Sequence, residues 1–271
     1  MSELTVSRHF VEAALTGARN KGVDIDRLLV SSGISPDLLK IEMARVSSSQ
    51  YSLLLQNVWN VMEDEFMGLG PRRCRTGTFA TMCALMIDCP NLEAVYRQAF
   101  DFCRLFEPMV GMQLEQHGDE VKLVTVIEGD FDDSLHFFQE SILVIWHRLG
   151  SWLIGQPAEL TRAEFSYPEP AHGDEYRHMF HCPLAFNARH TALTFSKRFL
   201  DAPVIRDKSE MRQFLKTSPA DLLSRPDESN TYTGRIRALI GRDFSQSLPD
   251  FEWIASELNT SPQTLRRRLK Q

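Results

Sequence analysis

Met112-Gln113-Leu114-Glu115-Gln116-His117-Gly118-Asp119-Glu120-Val121-Lys122-Leu123-Val124-Thr125-Val126-Ile127 decides the fold class. Residues 112–117 alternate apolar and polar, Gly118-Asp119-Glu120 is turn chemistry, and 121–127 are rich in β-branched side chains. This pattern predicts a β-hairpin. On its N-terminal side the apolar residues fall at helical spacing instead. Phe10, Ala14 and Leu15 share one face of a first helix that ends near Gly22. Asp24 caps a short helix carrying Ile25, Leu28 and Leu29, Gly33 stops it, and Ser35-Pro36 opens another turn. Tyr51, Leu54, Leu55, Val58 and Met62 predict a helix over 48–62; 78–86 and 91–106 read as two more, with Pro90 between them. Beyond the hairpin, 132–154 form a long helix and 172–180 a short one, while 163–167, 184–186 and 192–195 read as strands. Helices with interspersed strands and little βαβ alternation imply α+β, a helix-rich body with a small sheet.

The bulk properties agree with a globular protein. The chain has 271 residues, 43% hydrophobic and 24% charged, enough to bury a sizeable core and too apolar for disorder. The start has no basic region leading into an apolar run, and no apolar stretch is long enough to span a membrane, so a cytoplasmic protein without membrane contact is expected. Cys74, Cys83, Cys89, Cys103 and Cys182 are odd in number and none has CxxC spacing, which suits free thiols in a reducing compartment. Net charge is −6, unevenly spread: residues 231–271 hold seven basic and four acidic side chains, which leaves the first 230 at −9. An acidic body with a basic tail is the asymmetry expected when one end meets phosphate. Residues 218–230, with Pro219, Pro226, Asp221, Asp227, Ser224 and Ser229, read as a linker.

The tail reads Phe251-Glu252-Trp253-Ile254-Ala255-Ser256-Glu257-Leu258-Asn259-Thr260-Ser261-Pro262-Gln263-Thr264-Leu265-Arg266-Arg267-Arg268-Leu269. A first helix buries Trp253 or Ile254 with Leu258; Ala255 is small where a second helix must cross; Asn259-Thr260 turns the chain. Ser261 is an N-cap and Pro262 an N1 residue, so a second helix starts there, with Leu265 and Leu269 facing inward. This predicts a helix-turn-helix whose outer faces present Gln263, Arg266, Arg267 and Lys270. Arg is suited to bidentate bonds with guanine and Gln with adenine, and both Arg and Lys neutralise phosphate. A helical hairpin with a merely solvated basic stripe satisfies the same spacing.

The segment resembles the first helix-turn-helix of AraC/XylS-family regulators, in which I-A-x-x-L-x-x-S-P-x-T-L-x-R-x-L recurs; here it is Ile254-Ala255, Leu258, Ser261-Pro262, Thr264-Leu265, Arg267 and Leu269. Residues 232–240 match the family's leading helix. Phe165-Ser166-Tyr167-Pro168-Glu169-Pro170-Ala171-His172, Tyr176, Phe180, Pro183-Leu184-Ala185-Phe186, Leu193-Thr194-Phe195 and Leu200-Asp201-Ala202-Pro203 resemble the sensor domain of the branch with an arabinose-binding-like N-terminal domain. The resemblance implies a ligand-sensing and dimerisation domain over 1–217 and an all-α DNA-binding domain over 231–271. It implies a small-molecule effector, a homodimer, and DNA contacts by Gln263, Arg266 and Arg267, supported by Ser261, Thr264, Arg268 and Lys270. Family DNA-binding domains carry two helix-turn-helix units joined by a long helix, whereas this sequence ends at Gln271, so an incomplete domain with weak specific DNA binding is the expectation. The alternative is a truncated sensing or dimerisation protein without independent DNA binding.

Other constellations point to no enzyme, cofactor or metal. His172, His178, His181 and Cys182 match no zinc spacing and read as an amphipathic helix with solvated histidines. Glu128, Asp130, Asp132 and Asp133 lack the ligand alternation of a Ca²⁺ loop and read as a helix N-terminus. Glu140 and His147 share a helix face with no nucleophile nearby, and a salt-bridged surface is expected. An effector pocket is expected from Phe79, Met82, Phe100, Cys103 and Trp146, with Arg104 or His147 as anchor.

Overall fold

The structure is a computed structural model that describes residues 5–106, 110–218, 250–258 and 260–268. Strand β1 (Thr5–Ser7) leads into helix α1 (Arg8–Asn20), followed by α2 (Ile25–Ser31). Strand β2 (Arg45–Ser47) then pairs antiparallel with β1, Val6 opposite Val46, a ribbon too short to show in the sequence pattern. Next come α3 (Ser48–Met62), α4 (Thr78–Met86) and α5 (Leu92–Cys103). Their starts obey local chemistry. The Asp24 carboxylate accepts the Arg27 N–H and Asn91 accepts the Ala94 N–H. Ser47 and Gln50 close a reciprocal capping box.

The hairpin forms as β3 (Val110–His117) and β4 (Glu120–Ile127), with Gln116 opposite Val121; the turn is Gly118-Asp119 alone, and Glu120 already pairs with His117. After it come α6 (Phe137–Leu153), β5 (Leu160–Glu164), α7 (Gly173–Phe180), β6 (Leu184–Ala185), β7 (Ala192–Ser196) and α8 (Lys208–Thr217). The five strands run in the order β3-β4-β7-β5-β6, antiparallel except β5 with β6. The protein is therefore α+β, as expected.

Three boundaries differ from the sequence pattern. Helix α6 starts at Phe137 rather than 132, because Asp133 caps it from outside: its carboxylate accepts the N–H groups of Phe138 at 2.7 Å and Gln139 at 3.1 Å. Strand β5 lies over Leu160–Glu164 rather than 163–167, since the chain leaves β7 after Glu164 and turns Tyr167 beneath the sheet. Helix α5 ends at Cys103 rather than 106.

Two close approaches hold the body together. A Cβ on Gly17 of α1 would stand 2.0 Å from the Met67 carbonyl oxygen, and one on Gly150 of α6 would stand 2.3 Å from the Tyr96 hydroxyl. The absent side chains let α1 seat on the loop after α3 and α6 seat on α5.

The tail forms α9 (Phe251–Glu257) and α10 (Pro262–Arg268). Asp250 accepts the Trp253 N–H at 2.6 Å and Ser261 the Thr264 N–H at 3.1 Å. Ile254, Ala255, Leu258 and Leu265 are buried together, while Trp253 is 39% exposed, so Ile254 rather than Trp253 is the inward residue. Leu269 and the residues 232–240 matched to a leading helix lie outside the described residues, as does the expected linker after Ser218.

Candidate functional site

A cavity of about 1130 Å³ opens between the helices of the body. Helix α6 forms one wall with Phe137, Glu140, Ser141, Val144, Ile145 and Arg148, a single face at helical spacing. Helix α3 forms another with Tyr51, Leu55 and Trp59, each four residues apart. Phe10, Phe66, Phe102 and Met179 add apolar surface from α1, the α3–α4 loop, α5 and α7, and Leu215 and Ser218 close it from α8.

Two carboxylates shape the rim. Buried Asp64 accepts the backbone N–H groups of Phe66, Gly68 and Cys74. Glu65 accepts those of Gly77 and Phe79 at the start of α4. Burial still holds the Glu65 carboxyl above its ordinary range, against those hydrogen bonds. The folded loop presents Arg73, Cys74 and Arg75 at the cavity edge. Burial pushes the Cys74 thiol up to about 12 and the Cys103 thiol up to about 11, so both stay protonated and unreactive at neutral pH.

Glu140, on the cavity wall, is as buried as Asp64, each 2% exposed. Its Oε1 accepts the Tyr176 hydroxyl, lies 3.5 Å from the Tyr167 hydroxyl and 3.7 Å from His172 Nε2. Burial raises its pKa above the ordinary carboxylate value, and His172 and Tyr176 partly offset that. Rings pack around this centre: His172 stacks on His9 at 3.5 Å, His136 on Tyr167 at 3.7 Å, and Phe165 on Tyr176 at 4.7 Å. Burial and the neighbouring His172 hold His9 down at about 4, so it is neutral at pH 7. Buried atoms without a hydrogen-bond partner cluster here: Glu140 Oε2, His172 Nε2 and His9 Nε2, with Trp59 Nε1 on the cavity wall.

The sequence-predicted pocket residues divide. Phe79, Met82, Cys103 and Trp146 line the cavity. Phe100, Arg104 and His147 do not: Arg104 is exposed at the end of α5, and the His147 ring bonds the Ala158 carbonyl at 2.7 Å. Glu140 does not form a salt-bridged surface with His147. It lies on the buried side of α6, because the block 165–176 folds over it and supplies its hydrogen bonds. The sequence placed it on a surface, although a lone acid within Phe137-Phe138-Gln139-Glu140-Ser141-Ile142-Leu143-Val144-Ile145-Trp146 is a signal for a buried one. His178 is exposed at the cavity edge, as a solvated histidine would be, whereas His172 is half-buried against Glu140 and departs from that expectation.

On the tail, Gln263 and Arg266 are exposed on α10, with the Arg266 guanidinium 5.1 Å above the Phe251 ring. The Ser261 hydroxyl caps α10 and bonds the Thr264 hydroxyl at 2.8 Å, so both serve the helix start. The side chains of Arg267 and Arg268, and all of Lys270, lie outside the described residues. Among the described residues no helix is long and apolar enough to cross a membrane.

Residues 22–204 match the family model described as the arabinose-binding domain of AraC transcription regulators, N-terminal. The chain is similar to the ornithine utilization regulator of Pseudomonas aeruginosa, 23% identical over 264 residues that cover 96% of this chain and 77% of that protein. It is also similar to the crystal structure of the transcriptional regulator CdpR from Pseudomonas aeruginosa, with 15% identity and a TM-score of 0.38, over 97% of this chain and 78% of that one. The block 165–203 and the cavity-lining helices α3 to α7 fall within the matched span, with α1 and α8 outside it, and the chain belongs to the family of AraC-type transcription regulators with an arabinose-binding N-terminal domain.

Proposed function

We propose that this protein is a ligand-responsive, DNA-binding transcription regulator. A small molecule occupies the cavity, and α9 and α10 act as a helix-turn-helix that reads DNA with Gln263, Arg266 and Arg267, flanked by Ser261, Thr264, Arg268 and Lys270. The effector works by shifting the population between DNA-competent and incompetent arrangements, which requires that it bind the two with different affinity. A cytoplasmic homodimer belongs to the same reading, with the body over 1–217, a linker over 218–230 and the DNA-binding region over 231–271; each subunit meets one half-site.

The observation that carries this reading is the position of the cavity. Its wall runs from α6 and α3 to Leu215 and Ser218, at the end of the body and next to the stretch that leads to the tail. Gln56 of α3 donates to the Ser218 carbonyl at 2.9 Å, and Phe214 stacks on Trp152 of α6 at 4.4 Å. A molecule that presses on Leu55, Trp59 or Ile145 therefore pushes on elements that hold α8.

The test is DNA binding by the protein as its gene encodes it, against the DNA flanking that gene, over a salt series. Ornithine is the first effector to try, since the relative is named for its utilization. Binding that prefers this DNA and changes about 5- to 150-fold with an effector supports the reading. Gln263→Ala is expected to relax one base position at a cost of about 1–3 kcal/mol. No preference over random DNA, with or without effectors, removes it.

A further inference from the structure

We infer that the cavity is built for an organic ammonium: an amine on an apolar body, its positive end held by Glu140. This rests on the proposed role of the cavity as the effector site and names the chemistry of the effector.

A buried carboxylate is costly unless its oxygens are met, and a native protein rarely leaves one unmet without a reason. Glu140 meets that condition on one side only. The Tyr176 and Tyr167 hydroxyls converge on Oε1, with His172 Nε2 3.7 Å from it, while Oε2 is enclosed and has no partner among the described residues, on a side chain that lines the cavity. The other acids of the wall are occupied. Glu175 is paired bidentately with Arg45, and Glu65 accepts two backbone N–H groups. An acceptor pre-oriented by its own hydrogen bonds and left open calls for a donor, and a charged donor is favoured most.

The surroundings select the body of the ligand. Phe10, Tyr51, Phe137 and Trp146 line the cavity with aromatic surface, which suits an alkyl or aryl body and favours a nearby cation. The indole N–H of the cavity-lining Trp59 also has no partner among the described residues. An anionic ligand would meet cations that are already engaged or lie at the rim: Arg45 is paired with Glu175, Arg148 on the α6 wall is itself engaged, and Arg73 and Arg75 are exposed, the Arg73 side chain 71% so.

The experiment uses octylamine, octanol and octanoate as matched probes, titrated calorimetrically into the intact protein, Glu140→Gln and Val144→Trp. The Gln variant keeps an acceptor for Tyr176 and removes only the charge; the Trp variant fills the cavity. Octylamine is expected to bind at least about tenfold tighter than octanol, the size of one charge-assisted hydrogen bond. Glu140→Gln should erase that difference while leaving octanol unchanged, and Val144→Trp should abolish all three. Should Glu140→Gln not fold, the ranking of the three probes on the unaltered protein decides. Octanoate binding tightest, or octylamine no tighter than octanol, overturns the ammonium assignment while leaving the effector cavity intact, provided Val144→Trp blocks them. Binding of none of the probes, or equal binding to Val144→Trp, removes the cavity reading itself.

Discussion

The body around the cavity and the helix pair of the tail are organised on different scales. The body core joins residues far apart in sequence: Phe10 to the Tyr51 hydroxyl, Gly17 to Met67, Tyr96 to Trp146, Tyr176 to Glu140. The pair has Ile254, Ala255, Leu258 and Leu265, with Phe251 against them, all within one short stretch. Each pattern matches its proposed task. A pocket needs walls from several elements so that polar groups converge inside an apolar shell. A DNA-reading helix needs only a rigid neighbour behind it and a free outer face. Long-range packing therefore makes the sensor's chemistry, and local capping makes the reader's shape.

The largest expected effect attacks the long-range side. Gly17→Val drives a Cβ against the Met67 carbonyl and should destabilise the body by about 3 kcal/mol or more, read as a lower urea midpoint. The helix pair should keep its own amide protection in the same variant.

Next in size, Leu265→Ala removes the fully buried side chain of α10 and should cost about 2–4 kcal/mol. Hydrogen exchange over 251–268 should accelerate while the body's midpoint stays in place. An equal shift in both would show one cooperative unit and break the comparison.

Acid should separate the two regions more gently. His9 has a folded pKa lowered to about 4 by burial, so the unfolded chain takes its proton first. Its contribution to stability is complete above the ordinary histidine range and is lost as pH falls from about 6.5 toward 4. Glu65, Asp133 and Glu140 act with the opposite sign. Burial raises their folded pKa values, so the stability they withhold at neutral pH returns as pH falls through them. Subtracting the His9→Gln midpoint from that of the unaltered protein isolates the histidine, and the difference should shrink below pH 6.5.

The smallest effect belongs to a cap. Asp250→Ala removes the acceptor for the Trp253 N–H and should cost about 1 kcal/mol, visible as faster exchange at the start of α9 alone.

Local rules made much of the fold legible. The hairpin followed from alternation on either side of Gly118, and α2, α3, α5, α9 and α10 begin where Asp24, Ser47, Asn91, Asp250 and Ser261 place a side-chain acceptor. Legibility failed where a distant partner decided. His136, at φ 60°, and the cap from Asp133 delay α6; the β1–β2 ribbon depends on pairing across forty residues of chain; α8 carried no pattern distinct from a polar surface helix.

The candidate site divides in the same way. Apolar spacing alone marked Phe79, Met82, Cys103 and Trp146, which do face the cavity. It also suggested His147 as an anchor, because a polar group on an apolar helix reads the same whichever way its neighbours point. Sequence by itself determined the α+β class, the hairpin, the caps and the helix pair of the tail, since each follows from residues within a few positions of one another. Tertiary structure alone decided that Glu140 is enclosed, that two tyrosine hydroxyls converge on one of its oxygens beside His172, and that its side chain lines a cavity. Burial and hydrogen bonding are properties of what surrounds a side chain, and for Glu140 those surroundings come from α7 and the segment before it.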